Sequence, residues 1–346
     1  MTNFTRRTAL ASMGAALATP ALLSKAHAAE VTFRVAHFLP AVAPIQSRFM
    51  EPWAAKIIEE TDGAVDFQFF PSMQLGGRPP QLADQARQGI CDIAWTLPVY
   101  TPDRFPVAET MSLPFMVTNA EKTSVAMHKL VEEFAPNEYE GMKVLAYHTH
   151  DGGKLHTRNG PVNTQADLQG LKLRAPNQAT GDMLAALGAD VVFFPVPDLI
   201  VGLSNGVIDG CCLPYEIVPA IKLHELTSYT SEPAAAARGL YCNNFALVMN
   251  EPKYEGLSDD IRQVIDNNSG IALSQQLGAQ FDEFEAFGRS VTEGSGNPIN
   301  EIAADEIAKW QEEATPVYEA WIEKLNGFGH DGAAILARAN ELLDAG

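Results

Sequence analysis

The sequence predicts an α/β fold in two lobes, and three observations carry that reading. Residues 31–95 run strand, helix, strand, helix, strand. A Gly-x-x-Asp device closes that run and recurs after a second run of the same kind. Between the copies, Asn163–Leu199 holds a short strand that stops at a proline and a helix that starts at once. Side chains alternating in and out mark a half-buried strand, whereas helices repeat about every 3.6 residues. A β-α-β-α-β order gives a parallel sheet with right-handed crossovers.

In the first run, Val31-Thr-Phe-Arg-Val-Ala-His37 alternates cleanly as a strand. A loop from Phe38 leads to a helix over Ile45–Thr61, with Phe49, Trp53, Ile57 and Ile58 on one face. Val65–Phe70 is the second strand, Pro71–Pro79 a loop, Pro80–Gln88 a helix and Ile90–Trp95 the third strand. In the second run, Leu171-Lys-Leu-Arg-Ala-Pro-Asn177 follows a capped turn at Thr164–Leu168. Pro176 ends that strand, and a helix extends to Leu187 and terminates at Gly188. Asp190–Val196 and a helix over Pro197–Ser204 complete the run. Gly89 with Asp92, and Gly206 with Asp209, each introduce an apolar strand.

Lys143–His148 and Leu240–Met249 are the strands expected to cross between lobes. Ser258–Glu293 reads as one long helix, capped by Ser258 with Asp259 and Asp260 in its first turn. At ~1.5 Å per residue it would be on the order of 50 Å long. Ala304–Leu325 is a further helix, kinked at Pro316, with Trp310 and Trp321 as packing residues. Asp331–Ala345 closes the chain. The predicted organisation is residues 1–28 as a leader, 29–145 as lobe 1, 146–245 as lobe 2, and 246–346 as the long helix and C-terminal helices packing on both.

Residues 1–28 have the form of an export signal. Arg6 and Arg7 make a twin-arginine pattern before the Ala-rich apolar run 9–23, and Ala26-His-Ala28 is a small-x-small cleavage site. The apolar run is too short to span a bilayer comfortably. An exported, periplasmic protein cleaved after Ala28 is expected. The net charge is −19, which argues against nucleic acid or an anionic membrane as partners. An anionic ligand would have to be drawn in by a local basic pocket. Cys91, Cys211, Cys212 and Cys242 show no zinc spacing, and adjacent Cys211 and Cys212 would strain a disulfide.

Arg174 sits near the end of a strand just before a helix, where ligands bind in open α/β sheets. Its planar fork suits a carboxylate; a structural arginine is the plain alternative. The stretch Leu168-x-Gly-Leu-Lys-Leu-Arg-Ala-Pro, followed by a helix and Gly-Ala-Asp-Val-Val, resembles the signature of the solute-binding proteins of TRAP (tripartite ATP-independent periplasmic) transporters. The resemblance implies a periplasmic-binding-protein-like fold with crossing strands and a long helix spanning both lobes. It implies that Arg174 grips a substrate carboxylate in a cleft that closes. A second basic residue commonly follows a glycine in that family; here Lys154 stands in Gly-Gly-Lys, keeping the charge without the fork. Arg78 falls at the cleft mouth, and Asn177 opens the helix after Arg174.

The loops after the two Gly-x-x-Asp strands give Trp95-Thr-Leu97-Pro and Leu213-Pro-Tyr215-Glu. Sugar-acid binders of the family place polar groups there. Leucines beside Trp95 and Tyr215 instead suit a carboxylate on an aromatic or apolar body. His37 and Phe38 end the first strand facing the same cleft. The expected partners are a small organic acid and the TRAP membrane subunits; a monomer without a cofactor is expected. A C4-dicarboxylate or sugar acid, or service to an ATP-driven importer, are the alternatives. An enzyme is disfavoured, since no nucleophile elbow, phosphate loop or His-Glu-x-x-His occurs. His148, His150 and Asp151 share strand geometry for ordinary reasons, and Glu216 alone is too little to predict a metal site.

Overall fold

A computed structural model describes residues 29–235 and 237–345. The expected leader lies outside the described residues. The strands are β1 (Val31–Ala36), β2 (Val65–Phe70), β3 (Ile93–Thr96), β4 (Met142–Thr149), β5 (Lys154–Thr157), β6 (Lys172–Ala175), β7 (Asp190–Phe193), β8 (Gly210–Leu213), β9 (Tyr229–Pro233), β10 (Asn244–Asn250) and β11 (Ile299–Ile302). They form two sheets, in the orders β2-β1-β3-β10-β4 and β11-β9-β5-β8-β6-β7.

The two sheets repeat one plan. β1 pairs in parallel with β2 and β3, as β6 does with β7 and β8. A strand arriving from the other half of the chain then adds antiparallel: β10 beside β3 and β5 beside β8. The Gly-x-x-Asp device does the same task in both. Gly89 and Gly206 take the left-handed turn that side chains disfavour (φ 72° and 66°). Asp92 then accepts the backbone N–H of Arg34 at 2.8 Å, and Asp209 that of Lys172 at 3.0 Å. Each aspartate thereby ties the strand it precedes to the middle strand of its parallel trio.

The expected single helix over 258–293 is two. Asp259–Asn267 is capped by Ser258, and Ile271–Gly294 follows after a turn. That turn is held from the first lobe. Trp53 Nε1 donates to the Asn268 carbonyl at 2.9 Å, and Gly270, at φ 79°, donates its N–H to the Leu145 carbonyl at 2.7 Å. The 24-residue helix that remains still reaches both lobes, because two glycines allow close approach. A Cβ on Gly278 would lie 2.6 Å from the Ala120 carbonyl oxygen in the first-lobe helix Ala120–Phe134. One on Gly288 would lie 2.0 Å from the Tyr215 carbonyl oxygen in the second. The expected helix over 304–325 breaks at Ala314, with Pro316 in the first turn of its second half.

Buried apolar side chains run without interruption from Phe33, Trp95 and Phe245 in the first lobe to Val196, Leu199 and Leu213 in the second. The lobes therefore meet at their strand ends. All four cysteines are buried free thiols. Among the described residues no helix is long and apolar enough to cross a membrane.

Candidate functional site: a buried arginine beside an aromatic cavity

β6 ends at Ala175, and the Asn177 side chain accepts the Thr180 N–H at 2.8 Å, capping the helix Gln178–Ala186. That junction carries Arg174 into the interior with no solvent exposure. Its Nε donates to the Phe194 carbonyl at 2.8 Å, Nη1 to the Cys212 carbonyl at 3.5 Å, and Nη2 to the Tyr100 hydroxyl at 3.4 Å. Tyr100 also accepts the Val196 N–H at 2.9 Å. Burial pushes the Tyr100 phenol up, against the pull of Arg174, so it stays neutral. Among the described residues no Asp or Glu pairs with Arg174. One N–H on each terminal nitrogen is left over, the pair a carboxylate would engage. A buried guanidinium without an anion is costly.

The segments that Arg174 holds, Phe194–Val196 and Cys212–Leu213, lead directly into the wall of a cavity of about 30 Å³. Phe38, Trp95, Leu97, Val196, Leu213 and Phe245 give it an apolar surface. Phe38 stacks on Trp95 (5.1 Å, 15°), and Trp95 on Phe245 (4.5 Å, 6°). Trp95 Nε1 donates to His148 Nε2 at 2.7 Å, which fixes the edge of the stack. Since indole only donates, His148 must accept there. Burial pushes His148 down to about 3, consistent with a neutral ring.

Three polar groups enter the same wall: His150, Asn243 and Glu216. Burial also pushes His150 down to about 3. Its Nδ1 donates to the Asp151 carbonyl, and its Nε2 accepts the Asn243 backbone N–H at 3.0 Å. Asn243 accepts from Asn177 at 3.0 Å. Asn177 thus joins the end of the Arg174 strand to the cavity without lining it.

Phe38, Trp95, Leu97 and Leu213 line the cavity. Four other expected residues lie outside its wall. Lys154 is buried, and its ammonium is taken by Glu285 of the long helix while lying 5.1 Å over the Tyr215 ring. Tyr215 turns its hydroxyl to Glu232 at 3.0 Å. Both face a separate cavity with Asp151, Glu232, Asp282 and Arg289, because the nearest buried counter-charge lies there. His37 donates to Gln46 at 2.8 Å and stays out of the cavity wall, its pKa lowered by burial. Arg78 is exposed at the mouth and pairs across the cleft with Asp198 at 3.1 Å.

Tyr100, Asn243 and Phe245 carry no signal in the sequence that marks them for the site, and His150 reads there only as an ordinary strand residue. Phe245 and Asn243 come from the crossing strand β10 and the residues before it. That strand was recognised, but its inward-facing residues could not be read without its register. Tyr100 follows Pro98 with no periodic signal.

Residues 35–325 match the model of the family described as bacterial extracellular solute-binding protein, family 7. A TRAP solute-binding protein from Rhodoferax ferrireducens, solved with copurified benzoate, superposes with a TM-score of 0.89. It is 40% identical and covers 91% of this chain and 98% of its own. The chain belongs to the TRAP transporter solute-binding proteins. A marine metagenome TRAP solute-binding protein specific for aromatic acid ligands, in complex with 3-hydroxybenzoate, is also 40% identical, with a TM-score of 0.89 over 92% of this chain and 99% of that one. Among curated relatives, the C4-dicarboxylate-binding periplasmic protein DctP of Rhodobacter capsulatus is 24% identical over 93% of this chain and 95% of its own. TRAP solute-binding proteins bind small acids and work with membrane components, and a buried arginine in the cleft is the chemistry such a task needs.

Proposed function

We propose that this protein is a periplasmic receptor for an aromatic monocarboxylate, which it passes to TRAP membrane subunits for ion-coupled uptake. The observation that carries the reading is Arg174: fully buried, without an acidic partner among the described residues, and beside a cavity walled by Phe38, Trp95 and Phe245. The ligand carboxylate takes the two remaining N–H groups of the guanidinium, and its ring lies against the aromatic stack. The benzoate and 3-hydroxybenzoate held by the two solved relatives support this ring-and-acid class.

A cavity of about 30 Å³ admits little more than a water, whereas benzene occupies engineered cavities of about 150 Å³. Binding therefore requires the lobes to part and the wall side chains to re-close around the ring. A sugar acid would set hydroxyls against Leu97 and Leu213, at roughly 1–3 kcal/mol for each unpaired group. A dicarboxylate needs a second cation, yet Lys154 is held by Glu285 and Arg78 by Asp198. The reading assigns no catalytic residue. It includes export with removal of residues 1–28, which N-terminal sequencing of the secreted protein would show as a start at Ala29.

The test is a melting-temperature screen at equal concentrations of benzoate-type acids, branched aliphatic acids, C4-dicarboxylates and sugar acids. A ligand of the native state raises the midpoint by mass action. Aromatic monocarboxylates should give the largest shifts. A response to sugar acids alone would refute the reading.

A further inference from the structure

Glu216 is the polar group of the cavity wall that the carboxylate-and-ring reading leaves unused. Its residue is 5% exposed, it lines the cavity, and among the described residues its carboxyl makes no hydrogen bond. His150 and Asn243, its polar neighbours on the wall, are engaged with each other and with Asp151 and Asn177. The Glu216 oxygens are not among the fully enclosed unpartnered atoms, so the carboxyl opens onto the cavity, and a group placed there points to something that meets it.

Its position is fixed from behind. Glu216 lies in the turn Tyr215–Ile217, seated on the long helix where Gly288 lacks a side chain. The Glu216 backbone N–H donates to Glu285 at 2.9 Å. Glu285 in turn holds the Lys154 ammonium. Burial first, and then the Glu285 charge, push the Glu216 carboxyl well above the usual carboxylate range. The shift favours the protonated acid, which offers one O–H donor and one carbonyl acceptor. A metal ion would find a protonated acid and leucines. A second carboxylate on the ligand would approach the Glu285 charge. A bare ring edge would leave both atoms unsatisfied. A hydroxyl, which donates and accepts at once, satisfies both.

We propose that Glu216 reads a hydroxyl substituent on the ring, making hydroxylated aromatic acids the preferred ligands over unsubstituted ones. The proposal rests on Arg174 holding the carboxylate, and Glu216 adds the second polar point that orients the ring.

The experiment is calorimetric titration of benzoate, 3-hydroxybenzoate and 4-hydroxybenzoate into the wild type, Glu216→Gln and Glu216→Leu, with melting curves to check folding. The wild type should bind one hydroxybenzoate about tenfold more tightly than benzoate. Glu216→Leu should abolish that preference by weakening the hydroxy acid about tenfold relative to benzoate, so that the two then bind alike. Glu216→Gln, which keeps a donor and an acceptor, should retain most of it. An unchanged preference in Glu216→Leu overturns the proposal and leaves the aromatic-acid reading standing. So does a wild type that binds benzoate as tightly as either hydroxy acid. A wild type that binds none of the three overturns both. Should Glu216→Leu not fold, Glu216→Met, closer in volume, replaces it with the same expected outcome.

Discussion

Arg174 and Tyr100 come from different lobes and meet at one hydroxyl: Nη2 of the arginine lies 3.4 Å from the phenol oxygen, which also accepts the Val196 N–H at 2.9 Å. If Arg174 holds the ligand as proposed, that cation is oriented by a first-lobe residue only when the lobes are together. Capture and closure share a contact.

Tyr100→Phe should show that coupling. It removes the acceptor for both donors while keeping the ring against Phe38. Each lost hydrogen bond is worth about 1 kcal/mol. Calorimetry should find ligand affinity reduced about tenfold, with the protein still folded by circular dichroism. An unchanged affinity would separate closure from the guanidinium.

Lys154→Met should destabilise the protein rather than act on the ligand directly. It leaves Glu285 buried without its cation, and breaking one side of such a pair costs roughly 3–5 kcal/mol. The double variant Lys154→Met/Glu285→Leu should recover much of the lost melting temperature, because no charge is then stranded. Failure of the second change to recover any stability would contradict the pairing.

Much of the fold was legible because it is local. Strand alternation gave β1, β2 and β6, and Gly89–Asp92 and Gly206–Asp209 announced the repeat, although their common task, capping Arg34 and Lys172, became visible only in space. The break near Gly270 was missed although Asn267-Asn268-Ser269-Gly270 is turn chemistry, because the apolar spacing continued across it. At the site, Phe38, Trp95, Leu97 and Leu213 were legible as strand-end residues. The pairing of Lys154 with Glu285 was not legible, because the two lie 131 residues apart, a pairing no spacing rule contains.

Stability should fall with alkalinity through Glu109. Burial, aided by Glu138 and Asp103 and opposed by Lys324, raises its carboxyl from the ordinary 4.5 to about 8. The native state then holds a proton that the unfolded chain has released. The stability this group contributes is present below about 4.5 and is lost as pH rises to about 8. Glu109→Gln should therefore gain stability relative to the wild type progressively across that window in urea titrations. A pH-independent difference would contradict the assignment.

Arg78→Ala removes an exposed ion pair with Asp198 at the cleft mouth. Such pairs are worth about 0–1 kcal/mol and are screened by salt. Stopped-flow dissociation should quicken by no more than about fivefold, and the difference should shrink at high salt. A hundredfold effect would mean that Arg78 reaches the ligand.

The most direct test is calorimetry of benzoate and 3-hydroxybenzoate on Arg174→Ala and Arg174→Lys. Losing a buried, charge-assisted pair from one side costs roughly 2–5 kcal/mol, so Arg174→Ala should bind tens-fold to thousands-fold more weakly while keeping its fold. Arg174→Lys should also lose affinity, since an ammonium has no fork. Near-normal affinity in a folded Arg174→Ala protein would contradict the assignment of Arg174 as the carboxylate anchor.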